Sequence, residues 1–395
     1  MITKTRRNMI KSHNLVFSFV AVVAVSMMAF FVFGCSSSSD SSDSNTPPTT
    51  TPPTTTPPTT TPTASVYAVY VANHGANTVS AYTMNSSSGA LTSVGAAVAT
   101  GSGPESVTVD PTGKFAYVAN EFANTVSAYT INSSSGALTS VGAAVATGTY
   151  PMSVTVDPTG KFAYVANEIA NTVSAYTINS STGALTSVGA AVATGSGPIS
   201  VTVDPTGKFV YVANYSASTV SAYTINASSG ALTSVGAAVA TGSGPESVTV
   251  DPTGKFAYVA NYSASTVSAY TINASSGALT SVGAAVAKGS GPESVTVDPT
   301  GKFAYVAYYN ASTVSAYTIN SSSGALTSVG AAVATGSGPI SVTVDPTGKF
   351  VYVANYGADT VSAYTINASS GALTSVGAAI ATGSGPVSVT SVKLP

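Results

Sequence analysis

Charge is what this 395-residue chain has least of: Asp, Glu, Lys and Arg together make up 7% of it. An ordinary globular protein carries about a quarter, so solubility here must rest on the hydroxyls and amides of abundant Ser, Thr and Asn. Both arginines, Arg6 and Arg7, lie near the N-terminus. The rest of the chain therefore lacks the clustered Lys and Arg that phosphate backbones require, which excludes nucleic acid as a partner. The single cysteine, Cys35, excludes an internal disulfide and a Cys-based zinc site. There is no tryptophan, and beyond residue 64 His74 is the only histidine. No segment there sustains a 3.6-residue hydrophobic period, which excludes helical repeats.

What is present begins with a targeting segment. Lys4, Arg6, Arg7 and Lys11 precede a long apolar run, Leu15 to Phe33, that ends in Val32-Phe33-Gly34-Cys35. This resembles the processing site of bacterial lipoproteins, in which the cysteine thiol takes the lipid; a membrane-spanning anchor is the alternative reading. Residues 1–34 are thus expected to be a signal peptide and Cys35 the lipidation site, exporting the protein to the outer membrane or cell surface. Their removal leaves eight basic against 14 acidic residues, a diffuse charge of −6. Residues 35–64 open on a Ser/Asp tether and continue as a Thr/Pro run from Thr46 to Thr63. Proline favours polyproline II at about 3.1 Å per residue, so this segment reads as a stalk rather than a core.

Residues 65–395 are one unit repeated. Asp-Pro-Thr-Gly-Lys begins at Asp110, Asp157, Asp204, Asp251, Asp298 and Asp345, always 47 residues apart. Each unit reads as four strands, exemplified by Ser106–Val109 (a), Lys114–Asn120 (b), Thr125–Ile131 (c) and Leu138 through Val145 (d). Gly-containing turns separate them, and β-branched and aromatic residues fill them. Four strands in 47 residues is the size of a propeller blade. The body opens on a strand b, Tyr67–Asn73, with no strand a before it, and ends on a lone strand a within Pro386–Val392. The fragments sum to seven of each strand. The expected fold is therefore an all-β, seven-bladed propeller whose C-terminal strand completes the first blade and removes an open edge.

The recurring Val-Asp-Pro-Thr-Gly-Lys-Phe-Ala-Tyr-Val-Ala-Asn, with Asn-Thr-Val-Ser-Ala-Tyr-Thr-Ile-Asn and Ser-Gly-Ala-Leu-Thr, resembles the β-propeller lactonase family, 6-phosphogluconolactonase-like enzymes among them. Tyr117-Val118-Ala119-Asn120 also resembles the YVTN repeats of exported surface propellers. The first resemblance implies lactone chemistry by arginine, histidine and glutamate in the central cleft. No arginine follows Arg7 and His74 stands alone, so no catalytic residue is carried over.

The copies differ at two places. After the proline that opens strand a come Glu105, Met152, Ile199, Glu246, Glu293, Ile340 and Val387. After strand b come His74, Glu121, Glu168, Tyr215, Tyr262, Tyr309 and Tyr356, and Tyr308 replaces one strand-end Asn. In a propeller both places fall on one face. The functional reading is a ligand site there, for a glycan or a protein: Glu105, Glu121, Glu168, Glu246 and Glu293 ring the channel mouth with His74. Tyr215, Tyr262, Tyr308, Tyr309 and Tyr356 offer stacking surfaces. Drift in solvated loops after duplication is the alternative. The Asp of Asp-Pro-Thr-Gly reads as a turn-former and His74 as a loop residue, so neither metal nor cofactor is expected. Three functions fit this sequence: a lipid-anchored binding or scaffold module, a lactonase-type hydrolase, and a structural surface-layer component.

Overall fold

A computed structural model describes residues 65–395. The expected signal segment 1–34, the expected lipidation site Cys35 and the expected stalk 35–64 lie outside the described residues. Ser65–Pro395 forms one unit of seven antiparallel sheets. In the second blade strand a is Pro104–Val109, strand b Phe115–Asn120 and strand c Thr125–Ile131. Strand d is broken into Leu138–Ser140 and Val145–Ala146, both paired with strand c. Between them Val141 N still donates to Ala128 O of strand c at 2.8 Å, and Gly142, Ala143 and Ala144 leave the ladder. Only in the sixth blade does strand d run unbroken, Leu326–Ala334.

Strand b is apolar up to its final asparagine because it is buried on both faces. Successive side chains alternate across a sheet. Ala116 and Val118 therefore pack toward the first blade, while Phe115, Tyr117 and Ala119 pack against Val154, Ala163 and Val165 of the third. The large face of one blade fills against the small face of the next. Tyr117 reaches across the seam and its hydroxyl donates to the carbonyl of Gly183, 3.0 Å away. A Cβ on Gly183 would stand 2.4 Å from the Phe115 ring, and its φ is +75°, so only glycine fits this turn.

The ring is closed. Pro386–Lys393 pairs antiparallel with Tyr67–Asn73, and Tyr67 faces Lys393. The Tyr-to-Gly bond recurs at all seven seams, at 2.8–3.1 Å, and the seventh joins Tyr352 to Gly89 across the chain ends. The inner a strands are also sewn in a ring. The Val154 amide donates to Ser106 Oγ, and the same bond recurs seven times at 3.1–3.3 Å, twice through the C-terminal strand. On the face bearing the a–b turns, the Asp110 carboxylate accepts the amides of Thr112, Lys114 and Phe115 and the Thr112 hydroxyl. It is a turn-former, as the sequence suggests.

Candidate functional site

The opposite face carries the variable residues, and the backbone fixes where they point. The first residue after each strand b is tied to the loop entering strand a: His74 N donates to Gly385 O at 2.8 Å, and Glu121 N to Gly103 O at 2.6 Å. The other variable residue sits on a β-bulge. The a–b register shifts between Pro104 and Ser106, which leaves Glu105 as the extra residue. Bulges re-aim a side chain and are frequent beside active sites.

These two devices bring His74, Glu105 and Glu121 together at the seam between the first and second blades. His74 Nε2 lies 3.4 Å from Glu105 Oε1 and 3.2 Å from Glu121 Oε2. The three side chains are almost wholly buried, at 1%, 5% and 5% exposure. Two buried carboxylates against one imidazole are stable only with positive charge among them. Such a set can share a proton or hold a cation between its members. One donor atom from each residue lies within 4.8 Å of the others, so the set has the nitrogen and oxygen donors a divalent cation takes. A cation would have to replace the direct His–Glu contacts.

His74 sits in the b–c turn, as its isolation in the sequence suggests, but it is buried there against two carboxylates. Its partners lie in another blade, where no local spacing reveals them. The signal available was that the second blade alone carries acids at both variable positions, next to the one blade with histidine.

The remaining acids spread around the mouth. Glu168 and Glu293 are buried and Glu246 is half-buried. Tyr215, Tyr262, Tyr309 and Tyr356 are half-buried on this face. They lean along the ring: Tyr215 Oη lies 3.4 Å from Ser263 Oγ, and Tyr262 Oη donates to Asn310 Oδ1 at 3.4 Å. Burial pushes the Tyr215 hydroxyl above its ordinary value. Its hydrogen bond to Ser263 opposes this, while Glu246, Glu293 and Tyr262 add to it.

Tyr308 offers no stacking surface, which corrects its placement among the ligand residues. It is fully buried, and its hydroxyl lies 2.5 Å from that of Tyr317. The reason lies in the asparagine it replaces. At the other six seams this Asn accepts from a Thr of the preceding blade, as Asn120 does from Thr100 at 2.9 Å. Asn120 also donates to Thr125 and Ser127. At the exceptional seam Lys288 replaces that Thr; its ammonium sits 5.6 Å from the Tyr317 ring and donates to Gly330 O. Ser315, equivalent to Ser127, is left with a buried hydroxyl that has no hydrogen-bond partner. Lys288 was not singled out from the sequence.

Seven four-stranded sheets in a closed ring, with a buried His–Glu–Glu cluster on one face, define a β-propeller. The family model "Lactonase, 7-bladed beta-propeller" matches residues 61–156, 150–245 and 239–391, so the chain belongs to that family. No curated protein matches the sequence. Among solved structures, a candidate 6-phosphogluconolactonase from Bacteroides fragilis is similar, with a TM-score of 0.74 and 24% identity over 85% of this chain and 100% of that one. The periplasmic gluconolactonase of Pseudomonas aeruginosa has a TM-score of 0.73 and 20% identity, over 84% of this chain and 100% of that one. Hydrazine synthase from Kuenenia stuttgartiensis also matches, with a TM-score of 0.58 and 22% identity over 75% of this chain and 91% of that one. At these identities the likeness concerns the fold, which hosts unrelated chemistries.

Proposed function

We propose that this protein is a lactone hydrolase of the cell envelope, anchored through Cys35, with its acid/base centre at His74, Glu105 and Glu121. The observation that supports it best is the imidazole facing two buried carboxylates at the mouth of a lactonase-family propeller. Glu121 accepts a proton from water as the water oxygen attacks the lactone carbonyl. Protonated His74 gives its proton to the ring oxygen as the carbon–oxygen bond breaks, and a hydroxy acid leaves. The proton on Glu121 then returns to His74 across their 3.2 Å contact. Glu105 holds the imidazole from the other side.

The charge at the site selects the substrate. No arginine follows Arg7, and six of the body's lysines belong to the Asp-Pro-Thr-Gly-Lys turns of the opposite face. A phosphate would find no bidentate partner beside the two carboxylates of the cluster, so the substrate is an uncharged lactone. General acid–base catalysis contributes about 10²–10⁴-fold. PH-stat assays should show lactone hydrolysis that falls on the order of 100-fold in His74→Gln and Glu121→Gln, while 6-phosphogluconolactone is not turned over. Unchanged rates in both variants would sink the assignment. Acyl labelling that is lost in Cys35→Ser checks the anchor.

The half-buried tyrosines favour a second reading, the binding module. Tyr215, Tyr262, Tyr309 and Tyr356 occupy equivalent places on four consecutive blades, and aromatic faces of this kind suit sugar rings. Glycan binding that is lost in Tyr262→Ala but kept in His74→Gln would select it.

A further inference from the structure

Beside the His–Glu–Glu cluster, the third blade departs from its siblings in a way the fold does not need. The residue before the proline of strand a has positive φ in every blade, and in six it is glycine, from Gly103 at +66° to Gly385 at +62°. In the third blade it is Tyr150, at +59°. L-residues with a Cβ are disfavoured there. The backbone work of the position is unchanged: Tyr150 N donates to Asn124 Oδ1 at 2.8 Å, as Gly103 N does to Asn77. Its carbonyl accepts Glu168 N, also at 2.8 Å. The substitution therefore adds a side chain, and backbone strain, without adding to the scaffold; strain of this kind clusters at functional sites.

The ring of Tyr150 packs edge-on to Phe122, 6.0 Å between centroids, and Phe122 packs edge-on to His74 at 5.2 Å. An aromatic chain thus leads outward from the proposed acid/base centre. Phe122 is 45% exposed and Ile169, the residue after Glu168, is 49% exposed. They are the only large apolar side chains so exposed among the described residues. Both are second residues of b–c turns, in the second and third blades, on either side of Tyr150. In a chain so rich in polar surface, an exposed apolar patch beside a reactive cluster marks a ligand site.

We propose that Phe122, Tyr150 and Ile169 form a subsite for a hydrocarbon substituent on the lactone, so that the preferred substrate carries an alkyl or aryl group rather than a fully hydroxylated chain. This rests on the lactonase reading for the position of the ring, because His74 fixes where the lactone's ring oxygen sits and Phe122 packs against His74. The substituent lies across the Phe122 and Tyr150 edges toward Ile169.

Two measurements on the purified full chain separate the subsite from the chemistry. The first compares kcat/KM for γ-decanolactone, which carries a hexyl group, with γ-butyrolactone and gluconolactone. The second compares calorimetric binding of hexylcyclopentanone, which cannot be hydrolysed, with cyclopentanone. Burying several methylenes should favour the hexyl compounds on the order of 10-fold or more in both. That preference should collapse in Tyr150→Gly and in Ile169→Thr. Tyr150→Gly relieves the positive φ, so its melting temperature should equal or exceed that of the parent, which excludes misfolding as the cause. Hexyl preference in binding without hydrolysis of any lactone refutes the catalytic reading and keeps the subsite. Hydrolysis with gluconolactone equal to or better than γ-decanolactone overturns the subsite and keeps the lactonase. Concentration-dependent self-association that is lost in Phe122→Ser would assign the patch to a second copy and also overturn it.

Discussion

Deleting residues 386–395 should cost this propeller most of its stability, and the size of the loss follows from what that strand buries. Val387, Val389, Val392 and Leu394 are 6%, 5%, 8% and 3% exposed. At about 1.5–3 kcal/mol for each buried aliphatic side chain, their loss removes roughly 6–12 kcal/mol. The deletion also removes the ladder to Tyr67–Asn73 and the bonds from Val389 N to Ser341 Oγ and from Val107 N to Ser388 Oγ, which complete the inner ring. A whole domain is typically stable by only about 5–15 kcal/mol. The truncated chain should therefore melt more than about 10 °C lower, at roughly 2 °C or more per kcal/mol. Its open Tyr67–Asn73 edge should drive oligomers. Thermal denaturation with light scattering on the full chain and the deletion reads both effects. A permutant that carries the ten residues ahead of Ser65 should recover the parent's melting temperature and remain a monomer. If the deletion melts within a few degrees of the parent and stays monomeric, the C-terminal strand does not hold the ring together and the reasoning fails.

The Lys288/Tyr308 seam should be the easiest to improve. The double variant Lys288→Thr, Tyr308→Asn restores the Thr–Asn–Ser bonds of the other six seams and gives Ser315 a partner, a gain of about 1–3 kcal/mol for satisfying a buried hydroxyl. It should melt above the parent and above either single variant, and a double variant that melts lower would show that the tyrosine pair is the better packing. Alkaline stability should be limited by the seam tyrosines. Burial raises the hydroxyls of Tyr70, Tyr117, Tyr164, Tyr211, Tyr258, Tyr305 and Tyr352 well above their ordinary value. A group whose pKa is raised on folding stabilises fully below its unfolded value, near 10, and that stability is lost as pH rises beyond it. Tyrosinate absorbance should therefore rise abruptly with unfolding, whereas gradual ionisation near pH 10 in a folded protein would contradict the buried seam.

The sequence by itself determined the architecture, because everything that specifies a blade is local. Alternation in Phe-Ala-Tyr-Val-Ala-Asn makes strand b, Asp-Pro-Thr-Gly makes the turn beside it, and the broken copies at Tyr67 and Val392 require a ring that closes. Strand c was legible to the residue, Thr125–Ile131, whereas the break in strand d at Val141–Ala144 was not, since those residues are as apolar as their neighbours. The tertiary structure alone decided the site. Residues 47 apart occupy equivalent places on neighbouring blades, but whether they meet depends on the width of the inner ring and on where the bulge turns Glu105. His74 thus acquires Glu105 and Glu121 across a seam that the linear chain does not display. The same seams took Tyr308 inward, because the position it inherited already pointed between two sheets. Strand pairing is written in short-range pattern; the neighbours of a side chain at a blade seam are fixed only when two sheets pack together.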